Sequence, residues 1–256
     1  MSSGFLSNVI YKPVVYPRNV TVGNYLYFVV APTFVYETSY PRTTQIRKMY
    51  VAWHSLQACA CAAVQYVLLM QFYIPTLRNS VPPQRNLWFF CMKLALPSFI
   101  MWLLFFWGFF HCGLNVIAEL TRFADREFYR EWWNSTTLNH FWRTWNVLVH
   151  EWCVRHLYIE SRRHNVKPST AAFGTFFMSA VLHEYVCMIG FRMLRPYMFL
   201  GMMLQVPLMK LSNRWAGTRK GNMLMWLMIF VGQPVVVLMY ARDYVAKWGS
   251  LMCNET

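Results

Sequence analysis

The sequence predicts an all-α fold, a polytopic transmembrane helical bundle with an amphipathic interfacial segment. Hydrophobic residues make up 57% of its 256 residues and charged residues only 13%, whereas soluble domains carry about 25% charged residues. Three runs contain no Asp, Glu, Lys or Arg, namely residues 49–77, 94–118 and 221–241. Each run exceeds the roughly 20 residues that a bilayer-spanning helix needs. The chain is therefore predicted to cross a membrane several times.

The distribution of charge divides the chain into four segments. Residues 1–48 are predicted to be an irregular approach with a short or interfacial apolar element. Pro13 and Pro17 interrupt any helix in residues 1–24, and residues 25–36 are apolar but contain Pro32. Residues 49–118 are predicted to form transmembrane helices. Residues 119–168 are rich in Trp, Arg, Glu and His, and residues 169–256 return to apolar, helix-forming stretches.

Residues 119–168 are predicted to be amphipathic. Apolar side chains recur there at steps of three and four residues, which defines one face of a helix. These are Leu138, Phe141, Trp142, Trp145, Leu148, Val149 and Trp152. Tryptophan favours the membrane–water interface, and the Lys and Arg side chains of this segment favour the cytosolic side. The pattern fits an interfacial helix and a cytosolic helix packed on the bundle equally well.

The net charge of +14 would point to nucleic acid in a soluble protein. In a membrane protein, the same charge is explained by basic residues that flank the spans and favour anionic headgroups. No nucleic-acid-binding motif is present, so no nucleic-acid partner is predicted. Cys59 and Cys61 have no second cysteine pair, so neither a zinc site nor a disulfide framework is predicted. No metal and no cofactor are expected.

The sharpest anomaly is the adjacent pair His183 and Glu184. The pair lies in residues 169–190, which otherwise resemble a shorter membrane span. Ionisable groups at that depth are costly, and a functional role is the first interpretation. Small side chains surround His183 on its helical face, and a neutral imidazole is a good general base near pH 7. Glu184 points about 100° away around the helix, so a supporting role is expected. The alternative is a structural His–Glu hydrogen-bonding device between helices.

Two glutamines are the other polar residues in apolar surroundings. Gln205 lies in residues 196–209, a second short candidate span, and Gln233 precedes Pro234, which is expected to interrupt its helix. An amide could donate a hydrogen bond to a carbonyl oxygen that gains negative charge. A role in helix–helix adhesion is at least as well supported for each by the sequence alone.

Two motifs resemble those of a known family. The first is a heptapeptide, Phe128-Tyr129-Arg130-Glu131-Trp132-Trp133-Asn134, and the second is His183-Glu184-Tyr185. Both are similar to motifs of the diacylglycerol and sterol acyltransferase branch of the membrane-bound O-acyltransferases. Gly201-Met-Met203 and Gly232-Gln-Pro234 are closer to the diacylglycerol acyltransferases of that branch. Glu131 departs from the family motif, which has Asp there, and the resemblance covers the C-terminal part of the family's enzymes.

The resemblance implies an acyl-CoA-dependent O-acyltransferase. His183 would take the proton from the free hydroxyl of diacylglycerol, which attacks the thioester of fatty acyl-CoA and gives triacylglycerol. Asn146 and Gln233 would approach the thioester. The acyl-CoA contacts implied by the resemblance are Trp142, Trp145, Asn146, His150 and Tyr158. Glu184, Gln205 and the heptapeptide would support the site. The resemblance also implies a multi-pass protein of the endoplasmic-reticulum membrane that forms homo-oligomers among membrane lipids.

Three alternatives remain open on the sequence. The acceptor could be a sterol or another lipid alcohol. The chain could be a proton-coupled transporter subunit, although it shows no internal repeat of the kind that transporters carry. It could also be an inactive truncated fragment. The acyl-chain preference is not predicted.

Overall fold

The structure, a computed structural model, describes residues 9–10, 16–18, 20–80 and 87–253. These residues are almost entirely helical, which confirms the all-α class. The only strands in them are β1 (Val9–Ile10) and β2 (Arg42–Thr43), which pair antiparallel with Val9 opposite Thr43. Part of the irregular approach predicted for residues 1–48 lies outside the described residues.

Twelve α-helices occur in the described part of the chain. In order they are α1 (Val22–Val30), α2 (Lys48–Leu68), α3 (Ile74–Ser80), α4 (Leu87–Phe105), α5 (Leu114–Leu120), α6 (Leu138–Thr144), α7 (Val147–Cys153), α8 (Ile159–Arg163), α9 (Pro168–Phe191), α10 (Tyr197–Ser212), α11 (Arg219–Leu227) and α12 (Gln233–Cys253). Short π-helical turns join several of them, at Leu69–Tyr73, Phe106–Gly113, Val154–Tyr158 and Met228–Gly232. The two 3₁₀ turns are Trp132–Asn134 and Asn213–Trp215.

Four continuous helical stretches are long and apolar enough to cross a membrane. They are Lys48–Asn79, Met92–Leu120, Pro168–Phe191 and Arg219–Lys247. Each of the three charge-free runs falls inside one stretch, and residues 169–190 supply the fourth. Of the second short candidate span, residues 197–209 lie in α10 and Pro196 is its N-cap. This helix has only 16 residues and is not among the four stretches.

An aromatic core joins the second span to the FYREWWN heptapeptide. Trp102 of α4 stacks on Trp145 with ring centroids 5.3 Å apart, and Phe106 meets the edge of Trp132 at 5.1 Å. Trp132 also packs against Trp226 of α11, with centroids 5.6 Å apart. Such edge-to-face and offset pairs stabilise packing beyond the area they bury. The heptapeptide is thus held against two spans by its own rings.

A fully buried carboxylate fixes the end of the second span. Glu119 accepts hydrogen bonds from the backbone N and the guanidinium of Arg47, at 2.7 to 3.1 Å, and from Arg126 Nη1 at 2.6 Å. Its side chain has 0% exposure and that of Arg126 has 7%. Two cations and a backbone donor compensate the buried charge.

The amphipathic segment differs from the single helical face that its periodicity predicts. It forms two helices, α6 and α7, which are separated at Trp145 and Asn146. Asn146 caps α7, since its Oδ1 accepts from Val149 N at 3.2 Å. The heptapeptide runs beside the break, where Val147 N donates to Phe128 O at 3.0 Å and Arg130 N donates to Thr144 O at 2.8 Å. The side-chain cap and the neighbouring heptapeptide supply hydrogen-bond partners for the backbone groups at the break, so the helix need not continue.

Candidate active site

Five of the predicted site residues meet at one cavity of about 300 Å³. His183, Gln205, Gln233, Trp142 and Trp145 all line it. His183 belongs to α9, Gln205 to α10 and Gln233 to α12. Trp142 lies in α6, and Trp145 directly follows it. The remaining lining is mostly apolar and includes Trp102, Met198, Gly201, Met202, Met225 and Met228. Unbranched methionines adapt their shape readily, which suits a cavity for flexible chains.

His183 is oriented by its own helix. Its Nδ1 lies 2.7 Å from the backbone carbonyl O of Ser179, one turn earlier in α9. A carbonyl can only accept, so Nδ1 carries the hydrogen and donates it. This fixes the tautomer in which Nε2 has a free lone pair. A lone pair at a cavity of this kind can accept a proton from a hydroxyl group.

Gln205 and Gln233 both line the cavity. The Oε1 atom of Gln233 is buried and has no hydrogen-bond partner among the described residues. An unpaired buried amide oxygen is costly, and such groups mark sites of function or of a missing ligand. The interruption expected at Pro234 takes the form of the π turn Met228–Gly232, which ends directly before Gln233.

Glu184 turns away from the cavity into a contact between three helices. Its Oε2 accepts from Phe199 N at 2.9 Å, and its Oε1 lies 2.6 Å from the hydroxyl of Tyr240. Tyr240 is 1% exposed, and its hydroxyl also accepts from Met198 N at 3.1 Å. The supporting role expected for Glu184 is consistent with this geometry. Tyr240 was not identified from the sequence, because an aromatic residue in an apolar span gives no signal of its own.

The other predicted acyl-CoA contacts lie outside the cavity lining. Asn146 is engaged through Oδ1 as the cap of α7, His150 lies in α7, and Tyr158 ends the following π turn. Burial lowers the pKa of His150, and the nearby Arg143 and Arg130 lower it further against the opposing effect of Glu151. His150 is therefore held in its neutral form near pH 7. The roles of these three residues stay predictions.

The heptapeptide contributes packing and hydrogen bonds beside the cavity. Phe128 is 1% and Trp132 is 2% exposed, and the hydroxyl of Tyr129 lies 2.7 Å from Nδ1 of His111 in the second span. Glu131, the position that departs from the family motif, accepts from Asn134 Nδ2 at 3.2 Å. The longer carboxylate thus keeps a local partner.

Asn222 ties the end of the heptapeptide to α11. Its amide donates to Trp133 O at 2.8 Å and to Ser135 O at 3.0 Å. The start of α11 and the residues after the heptapeptide approach so closely that glycine is needed at position 221, since a Cβ there would lie 2.1 Å from Thr136 O. The contact fixes α11, and through it the start of α12, against the heptapeptide.

Sequence comparison identifies the family. The family model of the membrane-bound O-acyltransferases matches residues 12–242. The chain belongs to the membrane-bound O-acyltransferase family. Its four apolar helical stretches and this membership make it a multi-pass membrane protein. Within the region that the structure describes, no group of three or more His, Cys, Asp or Glu residues could hold a metal ion.

Several curated relatives of this membrane-bound O-acyltransferase are diacylglycerol O-acyltransferases. Diacylglycerol O-acyltransferase 1 of Homo sapiens and that of Chlorocebus aethiops are each 41% identical to it over 236 residues. The match covers 90% of this chain and 48% of each relative. The Dictyostelium discoideum protein of the same name is 41% identical over 239 residues, 91% of this chain and 39% of the relative. The chain thus spans about half the length of the curated relatives it matches.

Proposed function

We propose that the chain transfers the acyl group of a fatty acyl-CoA to the free hydroxyl of diacylglycerol and so makes triacylglycerol. The observation that supports this most directly is His183, whose Nδ1 is engaged by Ser179 O and whose Nε2 is left as a base at a largely apolar cavity. The names of the relatives supply the acceptor, since all three are diacylglycerol O-acyltransferases. Fatty acyl-CoA as the donor follows from the resemblance of the sequence motifs.

The residues support a two-step acyl transfer. His183 Nε2 accepts the hydroxyl proton while the hydroxyl oxygen bonds to the thioester carbonyl carbon. The carbonyl oxygen then carries negative charge, and an amide donor from Gln233 or Gln205 would stabilise it. When the C–S bond breaks, the thiolate takes the proton back from His183, which leaves the ester and free CoA. The apolar lining keeps water away from the thioester.

The remaining properties follow from the same proposal. Residues 119–168 face the cytosol, where they meet acyl-CoA, and the protein resides in the endoplasmic-reticulum membrane as a homo-oligomer. A sterol or another lipid alcohol is the alternative acceptor. Family membership favours acyl transfer over the transporter alternative, because the matched family is one of acyltransferases.

Incorporation of labelled oleoyl-CoA into neutral lipid by microsomes that contain the chain tests the proposal. Thin-layer separation resolves triacylglycerol, steryl ester and wax. Labelled triacylglycerol that disappears with His183→Ala is the expected result. Label in steryl ester alone would identify the other acceptor, and no label above empty microsomes would contradict acyl transfer by this chain.

A further inference from the structure

The first turn of α10 is capped by two side chains from other helices. The first backbone N–H groups of a helix have no partner within it and need an outside acceptor. Pro196, at the N-cap position, makes no side-chain cap. Instead, Met198 N donates to the Tyr240 hydroxyl at 3.1 Å and Phe199 N donates to Glu184 Oε2 at 2.9 Å. The cap therefore joins α9, α10 and α12.

The hydroxyl of Tyr240 also ties the cap to the segment that precedes α10. It donates to Glu184 Oε1 and to the backbone carbonyl O of Arg195, each at 2.6 Å. One hydrogen shared between two acceptors is a three-centre hydrogen bond, which is common at helix termini. The hydroxyl thus links Glu184 of α9 with Arg195 and Met198 at the start of α10.

The carboxyl group of Glu184 is held by hydrogen bonds and not by an ion pair. Its partners are Phe199 N and the Tyr240 hydroxyl, and among the described residues no Lys, Arg or His lies within salt-bridge distance of it. The nearby cation Arg195 is engaged elsewhere, since its Nε lies 2.8 Å from Asp243 Oδ2, which also accepts from the Tyr197 hydroxyl at 3.0 Å.

We propose that Glu184 and Tyr240 are positioning residues that together cap α10. The cap sets the start of α10 against α9, the helix of His183. Met198, Gly201, Met202 and Gln205 of α10 line the cavity, so the cap fixes their distance from His183. A Cβ on Gly201 would lie 3.2 Å from Val236 Cγ2 of α12, which shows that little slack remains between these helices.

The positioning role, which rests on the proposed function, is tested by matched variants. Tyr240→Phe keeps the ring and removes the hydroxyl, and we expect kcat/KM for acyl transfer to fall at least about tenfold, since small misplacements cost rate steeply. Glu184→Gln keeps an acceptor for Phe199 N and should lose less rate than Glu184→Ala, which keeps none. Tyr244→Phe, one turn further along α12, is the control and should leave the rate unchanged. Wild-type kcat/KM in Tyr240→Phe would refute the positioning role.

The thermal midpoint supplies a readout that needs no activity. Tyr240→Phe should lower the midpoint in detergent, while Glu184→Gln and Tyr244→Phe should not. Glu184→Ala, which leaves Phe199 N without an acceptor, should lower it as well. Equal midpoints for Glu184→Ala and Glu184→Gln would overturn the cap.

Discussion

The Nδ1 atom of His183 lies 2.7 Å from the carbonyl O of Ser179. Because the acceptor is a backbone atom, no side-chain substitution at residue 179 removes it. The tautomer of His183 is therefore built into the helix, and the proposed base needs no carboxylate partner of the kind found in catalytic triads.

His183→Ala is predicted to abolish acyl transfer while the protein still folds. General-base catalysis contributes roughly 10² to 10⁴-fold to a rate, and the imidazole is only partly buried, so its loss leaves no large cavity. The transfer rate and the thermal midpoint in detergent are measured together. His164→Ala, whose side chain is 77% exposed, is the matched control. Substantial transfer by a folded His183→Ala protein would rule His183 out as the base.

Asn146 has a structural role in addition to the predicted catalytic one, and two substitutions separate them. Asn146→Asp keeps the oxygen that caps α7 and removes the amide donor. It should fold like wild type yet lose about 10²-fold in turnover if the amide serves the thioester oxygen. Asn146→Ala should lose turnover and also about 0.5–2 kcal/mol of stability, because the cap is removed. Full turnover in Asn146→Asp would limit Asn146 to capping.

Gly221→Ala is predicted to destabilise the protein. The added Cβ would lie 2.1 Å from Thr136 O and 2.6 Å from Trp215 O, and both are backbone atoms that cannot move independently. Gly174→Ala in α9 is the control, because its Cβ would meet nothing within 4 Å. Alanine there should stabilise the helix by about 0.5–1 kcal/mol. The thermal midpoints should therefore move in opposite directions, and a shared direction would contradict the close approach.

Glu119→Gln is predicted to cost about 3–5 kcal/mol, the range for breaking a buried ion pair. The substitution leaves the buried guanidinium of Arg126 without its carboxylate. Glu160→Gln removes an exposed pair with Arg163 and should cost no more than about 1 kcal/mol. Denaturant unfolding in mixed micelles measures both. Equal losses in the two variants would show that Glu119 is not buried as described.

His150 is predicted to make the stability depend on mildly acidic pH. Burial lowers its pKa in the folded protein, below the value of about 6.5 in an unfolded chain. The unfolded state then binds more protons as the pH falls, so stability is greatest above about pH 6.5 and is lost as the pH approaches the folded pKa. His150→Gln should flatten this part of the profile of thermal midpoint against pH. An unchanged profile would assign the acid sensitivity to other groups.

The spans could be predicted because charged side chains are excluded from a bilayer over the whole length of a helix. This leaves long runs without Asp, Glu, Lys or Arg in the sequence. His183 could be singled out for the same reason, as a titratable group where none is expected. Periodicity does not predict the break at Asn146, since it does not register a cap and the partner of Val147 N is Phe128 O, which lies 19 residues earlier in the chain. Tyr240 could not be found at all, because its role depends on Glu184 and Met198, which are distant from it in sequence.

The π turn before Gln233 has a consequence for protein engineering. A π turn accommodates one residue more than an α-helix in the same length, and each residue turns a helix by about 100°. Deleting Val231 from Met228–Gly232 would turn this segment into a regular α-helix. The residues N-terminal to the turn would then rotate by about 100° relative to Gln233. The cavity would lose its alignment although every side chain that lines it is still present.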